Sequence, residues 1–136
     1  MDARPYPVPD RLSKPYWDAA RENRLLVQRC ARSQRLIHPP VAVCPCCSSE
    51  DLEWVPISGR GKIYTFVVMH DLRVRGFEER VPYINVWVEP DEQRDVLLEA
   101  NLVGIAPSDV VVGLPVEVFF ESVGGGMSLP QFRVAP

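Results

Sequence analysis

With 136 residues, 46% of them hydrophobic and 24% charged, the chain has the size of one compact domain or of a small module joined to one, and two full-sized domains are excluded. A membrane-spanning helix is excluded as well, because apolar runs such as Phe66 to Met69 and Val110 to Val112 fall far short of the roughly 18 residues a span requires. The formal net charge of -3 speaks against bulk affinity for nucleic acid, which depends on neutralising many phosphates.

No basic-then-apolar leader opens the sequence, so the expected location is the cytoplasm. Pro5, Pro7 and Pro9 alternate, which predicts an extended arm over the first ten residues, lying on another surface. Ser13 is placed to cap a helix that tolerates Pro15 in its first turn and runs to about Arg24, so residues 1–24 read as arm and helix. The basic side chains Arg11, Lys14, Arg21, Arg24, Arg29, Arg32 and Arg35 face only Asp18 and Glu22 within 11–37. That stretch is either a solvated face or a contact for carboxylates and phosphates.

Leu25 to Cys30 alternates apolar and polar residues, Leu36-Ile37 repeats the trend, and Pro39-Pro40 stops it, giving two short strands in a module over 25–57. Five runs follow: Gly61 to His70, Val81 to Glu89, Val96 to Val103, Pro115 to Ser122 and Leu129 to Val134. Pro107-Ser108-Asp109 opens a helical turn between the third and the fourth. Five strands with a helical insert at that place fit a Greek-key barrel of the OB type over 58–136. The fold class is therefore mainly β, with one amino-terminal helix. Gly59-Arg60-Gly61 and Gly124-Gly125-Gly126 read as hairpin turns.

Cys30, Cys44, Cys46 and Cys47 fall close together in a chain large enough to fold without disulfides, so metal is the better reading. Cys44-Pro45-Cys46-Cys47 is a whole Cys-x-x-Cys knuckle, whereas Cys30-Ala31-Arg32-Ser33 ends in serine. The predicted metal ligands are Cys30, Cys44 and Cys47. Ser33, Cys46, His38 or water compete for the fourth place, and a metal-free ribbon remains the alternative. Iron of the rubredoxin type needs four thiolates, which Ser33 denies, and a redox dithiol at Cys44 and Cys47 lacks the usual strand-to-helix setting.

His38 and His70 are the only imidazoles and neither sits in a nucleophile turn, so no catalytic residue is assigned; cofactor-binding residues stay unknown. Tyr64 and Phe66 fall on one face of the first barrel strand, and Tyr83 and Trp87 on one face of the second. Core packing explains them, and so does base stacking, which makes single-stranded nucleic-acid binding the alternative function. Lys62, Arg73, Arg75 and Arg80 form only a weak cationic groove, opposed by Glu78, Glu79 and Glu89.

Taken together, Tyr16-Trp17-Asp18-Ala19-Ala20, Leu25 to Cys30, Pro39-Pro40, Cys44 to Cys47 and Trp54 to Gly61 form a recognisable order. Val81-Pro82-Tyr83, Asn101 to Gly104, Val112 to Val116 and Leu129 to Phe132 continue it. The sequence resembles the acyl-CoA-associated family that joins a rubredoxin-like zinc ribbon to an OB fold, domain-of-unknown-function family thirty-five. The resemblance implies a companion subunit without an active site of its own, docked on a thiolase-fold enzyme that handles acyl-CoA thioesters. Retro-aldol cleavage of steroid side chains and thiolase chemistry are among the implied settings, with acyl-CoA the partner's substrate. It also implies a structural zinc, which Ser33 places in question. The proline-rich arm and Phe132 to Pro136 are expected to extend the interface.

Overall fold

The computed structural model describes residues 3–136, so the first two residues of the expected arm lie outside the described residues. Helix α1 spans Lys14–Arg21 and buries Ala19 and Ala20. Its start differs from expectation, because the Ser13 side chain does not cap it. Instead the Ser13 N–H donates to Asp10 Oδ1 at 2.7 Å and the Asp10 N–H donates to Ser13 Oγ at 3.1 Å, a reciprocal pair one turn earlier. The bond from the Ser13 backbone, with its hydroxyl, holds the Asp10 carboxyl below the usual range. The helix also ends sooner than Arg24. Asn23 takes a left-handed φ of 59°, and the Arg24 N–H closes onto the Ala19 carbonyl at 2.9 Å.

Strands β1 (Leu26–Cys30), β2 (Leu36–Ile37) and β3 (Leu52–Pro56) form an antiparallel sheet in the order β2-β1-β3. Five further strands, β4 (Arg60–Met69), β5 (Tyr83–Pro90), β6 (Leu98–Val103), β7 (Pro115–Ser122) and β8 (Ser128–Val134), close a barrel in the order β4-β5-β6-β8-β7. The ring shuts where Gly61 of β4 faces Val116 of β7, and β6 with β8 is its one parallel pair. A 3-10 turn at Pro107–Asp109 lies between β6 and β7, as the OB reading requires.

Alternation in β5 is complete: Ile84, Val86 and Val88 point inward and are at most 3% exposed. With Ile63, Leu98, Leu102, Val116 and Phe132 they fill the barrel, each aliphatic side chain contributing about 1.5–3 kcal/mol on burial. Leu25 and Val27 enter the same core from the ribbon side, so the two modules share one apolar interior. The joint between them overturns one expectation. Gly59-Arg60-Gly61 is not a hairpin turn, since β3 and β4 belong to different sheets. Gly59 has a φ of 80°, and a Cβ there would fall 2.1 Å from Val118 Cγ1, so only glycine lets β7 pass this joint. Gly124–Gly126 does turn the β7–β8 hairpin.

Among the described residues, both terminal segments are tied to the barrel. Phe132 is buried in the core, Arg133 pairs with Glu117, and the Ala135 N–H bonds to the Pro115 carbonyl. At the other end the Arg4 guanidinium, its side chain 4% exposed, forms an ion pair with Glu121 of β7. The Tyr6 ring covers the Gly124–Gly125 turn so closely that a Cβ on Gly125 would fall 2.6 Å from it. The arm does lie on a surface, and it is the surface of its own barrel.

Replacing Arg4 by Ala strands the Glu121 carboxylate, which is part-exposed, so urea denaturation is expected to show a loss of about 2 kcal/mol rather than the 3–5 of a fully enclosed pair. A change below about 0.5 kcal/mol, the range of surface substitutions, would contradict the seating of the arm.

Candidate metal centre

The two knuckles are built alike. In each, the first cysteine donates its N–H to the carbonyl five residues on, Cys30 to Arg35 and Cys44 to Ser49, both at 2.9 Å. Each also accepts from the N–H four residues on, Gln34 to Cys30 and Ser48 to Cys44, both at 2.8 Å. Gln34 and Ser48 take matching left-handed φ values of 64° and 60°. The turns repeat bond for bond, which makes Ser33 the structural counterpart of Cys47.

This duplication brings three of the four cysteines together. The Sγ atoms of Cys30, Cys44 and Cys47 all lie within 4.8 Å of one another, with Cys30 and Cys47 at 3.6 Å. Zinc with four ligands at about 2.3 Å sets sulfurs about 3.8 Å apart, so the cluster has the dimensions of such a centre. Ser33 Oγ stands 3.6 Å from Cys44 Sγ, at the remaining corner, and the Ser33 N–H donates to Cys30 Sγ at 3.3 Å. Three soft sulfurs and one oxygen around a common point fit a thiophilic divalent ion.

At Cys30 and Cys44 the local hydrogen bonds also favour thiolates. Bonds from the Ser33 side chain and backbone hold the Cys30 thiol below its usual pKa. For Cys44 burial acts in the opposite direction, yet bonds from Ser33 and from the backbone of Cys46 and Cys47 bring it down to about 6. At Cys47 the Ser49 N–H lowers the value, but burial and the two neighbouring sulfurs together raise it.

Among the described residues the ligand cluster contains neither Cys46 nor His38. Cys46 is exposed on the knuckle, and the His38 ring packs against Tyr16 with centroids 5.3 Å apart. Ile37 closes the site together with Val41 and Leu52. Gln28 ties Val41 to β1 through both of its amide atoms, at 3.1 and 2.8 Å. Gln93, from the barrel's β5–β6 loop, bonds the Leu36 N–H and carbonyl at 2.8 and 2.9 Å, and Arg35 pairs with Asp95 of the same loop. These clamps between ribbon and barrel carry no sequence signal, because glutamine and aspartate in a loop also read as solvated residues.

The aromatic residues do not share the face expected of them. A bulge between Ile63 and Thr65 leaves Tyr64 outward and 56% exposed, whereas Phe66 packs on the barrel core. Tyr83 stacks on Phe77 at 4.8 Å, and Trp87 lines an open cleft with Tyr16, Trp17, His38, Asp95 and Glu99. The base-stacking surface is therefore not assembled. Four of the seven basic side chains of that stretch are paired within the chain: Lys14 with Asp18, Arg24 with Glu22, Arg29 with Glu53 and Arg35 with Asp95.

Fold and site together define a zinc-ribbon module joined to an OB barrel. Residues 17–53 match the family model described as ChsH2, rubredoxin-like zinc ribbon domain, and residues 54–121 match ChsH2, C-terminal OB-fold domain. The chain belongs to the ChsH2 family. It is 38% identical over 132 residues to the probable enoyl-CoA hydratase alpha subunit of Thermomonospora curvata, covering 97% of this chain and 40% of that protein. A DUF35 domain-containing scaffold protein of Pyrococcus furiosus is 31% identical over 103 residues, 76% of this chain and 74% of the relative. Among solved structures, a chain titled Ltp2-ChsH2(DUF35) aldolase superposes with a TM-score of 0.85 at 36% identity, covering 95% of this chain and 98% of that one. The chain thus spans two fifths of the length of its Thermomonospora relative.

Burial lowers the His38 pKa from 6.5 to about 4, although Asp95 and Glu99 line the same cleft. A depressed folded-state value means that the unfolded chain binds the proton first, so stability is full above pH 6.5 and falls between 6.5 and about 4. Replacing His38 with Phe is expected to remove on the order of 3 kcal/mol of that acid loss, read from denaturation curves at several pH values. An unchanged pH profile in the variant would contradict a neutral, half-buried imidazole.

Proposed function

We propose that the chain is a non-catalytic partner subunit, which docks on and supports a cytoplasmic thiolase-fold enzyme acting on acyl-CoA thioesters. Within that class a retro-aldolase of steroid side-chain degradation is the first reading and a thiolase the second. The observation that carries the proposal is the likeness to the chain titled Ltp2-ChsH2(DUF35) aldolase, which spans nearly the full length of both chains. The hydratase-subunit and scaffold titles of the relatives point the same way.

Such a subunit acts through surface rather than through a reacting group. By ordering loops of the enzyme and excluding water from its pocket, it holds the thioester in a productive pose. The barrel and ribbon suit that task because they share one core and are clamped by Gln93 and Asp95, so their surfaces belong to one packed unit. The division into arm and helix (1–24), ribbon (25–57) and barrel (58–136) belongs to the same proposal; the break between the β3 and β4 sheets supports the second boundary.

Cys30, Cys44 and Cys47 are proposed to hold a structural zinc, supported by the ribbon family match and by the three converging sulfurs. Zinc, when bound, supplies a cross-link between the two knuckles. The chain's own part is to present the thiolates: the duplicated turns fix the sulfurs, and the N–H of Ser33 stabilises the charge on Cys30.

Two measurements test this reading. Tagged chain purified from its native source is expected to bring down, in fixed stoichiometry, a thiolase-fold polypeptide whose acyl-CoA activity falls when the small chain is withheld. Purification as a lone chain, with no effect on any such enzyme, would contradict it. Replacing Cys44 with Ser is expected to abolish zinc measured by elemental analysis and to lower stability by at least about 2 kcal/mol. A wild-type protein free of zinc, and equally stable with or without Cys44, would refute the metal role.

A further inference from the structure

The duplicated knuckles carry a consequence for the corner that lacks sulfur. Ser33 and Cys47 are equivalent positions in turns that share every backbone hydrogen bond described above, so the serine does not distort the site. It delivers an oxygen where its counterpart delivers a sulfur. Ser33 Oγ lies 3.6 Å from Cys44 Sγ, close to the separation of about 3.5 Å that an oxygen and a sulfur on neighbouring corners of a zinc tetrahedron adopt. A serine hydroxyl remains protonated near neutral pH and is a poor ligand beside three thiolates. Ser33 Oγ also accepts from the Arg35 N–H at 3.4 Å, a bond that draws on the same lone pairs.

Exposure divides the four positions into a buried pair and a part-exposed pair. Cys30 and Cys44 are 0% and 1% exposed, whereas Ser33 and Cys47 are part-exposed, so the weak donor stands in the half of the site nearer solvent. A centre with three firm protein ligands and a fourth position open to the outside is the arrangement of exchangeable rather than closed zinc sites.

We propose that Cys30, Cys44 and Cys47 form a three-thiolate metal centre whose fourth corner, at Ser33, exchanges with small donor ligands from outside the chain, low-molecular-weight thiols foremost. This rests on the metal occupancy proposed above and goes beyond a purely structural zinc. A thiol is the favoured class because it restores the all-sulfur set that the duplicated turns are shaped to provide.

Cobalt(II) in place of zinc makes the corner visible, because sulfur-to-metal charge-transfer absorption grows with the number of bound thiolates. Titration of the cobalt-loaded full chain with 2-mercaptoethanol is expected to raise that absorption saturably by about a third, the step from three sulfurs to four. S33C is expected to show the higher intensity from the outset and no response to the thiol. C46S is expected to behave as wild type, since Cys46 lies outside the cluster. A wild-type centre that binds cobalt but ignores the thiol, or whose bands bleach as the metal is stripped, overturns the exchangeable corner and leaves the structural zinc standing. So does a C46S variant that loses intensity, which would make Cys46 the fourth ligand. Cobalt bound by S33C but not by wild type overturns both.

Discussion

The structure depends on β1 being buried on both faces. Leu25 and Val27 point into the barrel core, while Gln28 and Cys30 point the other way, onto the loop and the sulfur cluster of the knuckles. Because side chains alternate along a strand, a slip of one residue would send Cys30 toward the barrel and Val27 toward the sulfur cluster. One five-residue strand therefore fixes where the sulfurs stand relative to the barrel. The clamps by Gln93 and Asp95 act on β2 and the residue before it, and complete the union from the other side of the sheet.

The barrel was legible in the sequence because its strands are long and rich in branched apolar residues; Pro115–Ser122 matches its expected span end to end. The convergence of the three sulfurs was legible because Cys30, Cys44 and Cys47 stand at knuckle spacing. β3 escaped notice because it is short and none of its residues is fully buried, so no alternation shows. The helix ends were misplaced where single side chains decide them: Asp10 outcompetes Ser13 as the cap, and Asn23 takes a conformation usually left to glycine. The bulge beside Tyr64 has no signature in composition, yet it alone separates Tyr64 from Phe66 and dissolves the apparent stacking surface. The equivalence of Ser33 and Cys47 also needed the backbone bonds, although the shared spacing hinted at it.

Several polar side chains of this molecule serve its own assembly. Arg4, Arg35, Gln28 and Gln93 hold segments together, and His38 is kept neutral beneath Tyr16. Exposed apolar side chains also gather on one part of the barrel: Tyr64 and Val67 on β4, with Val111 and Val112 in the segment that bonds back to it through the Gly113 N–H and the Ile63 carbonyl. Exposed apolar side chains gathered on a barrel suit recognition by another protein.

The central claim is that this polypeptide completes another protein and carries out no acyl-CoA chemistry by itself. A steady-state assay of the purified chain alone on acyl-CoA thioesters, at concentrations where its complex turns them over, tests that claim most directly. The account predicts no consumption of thioester above the uncatalysed rate. Turnover that follows the concentration of the isolated chain, and survives removal of every companion protein, would contradict it.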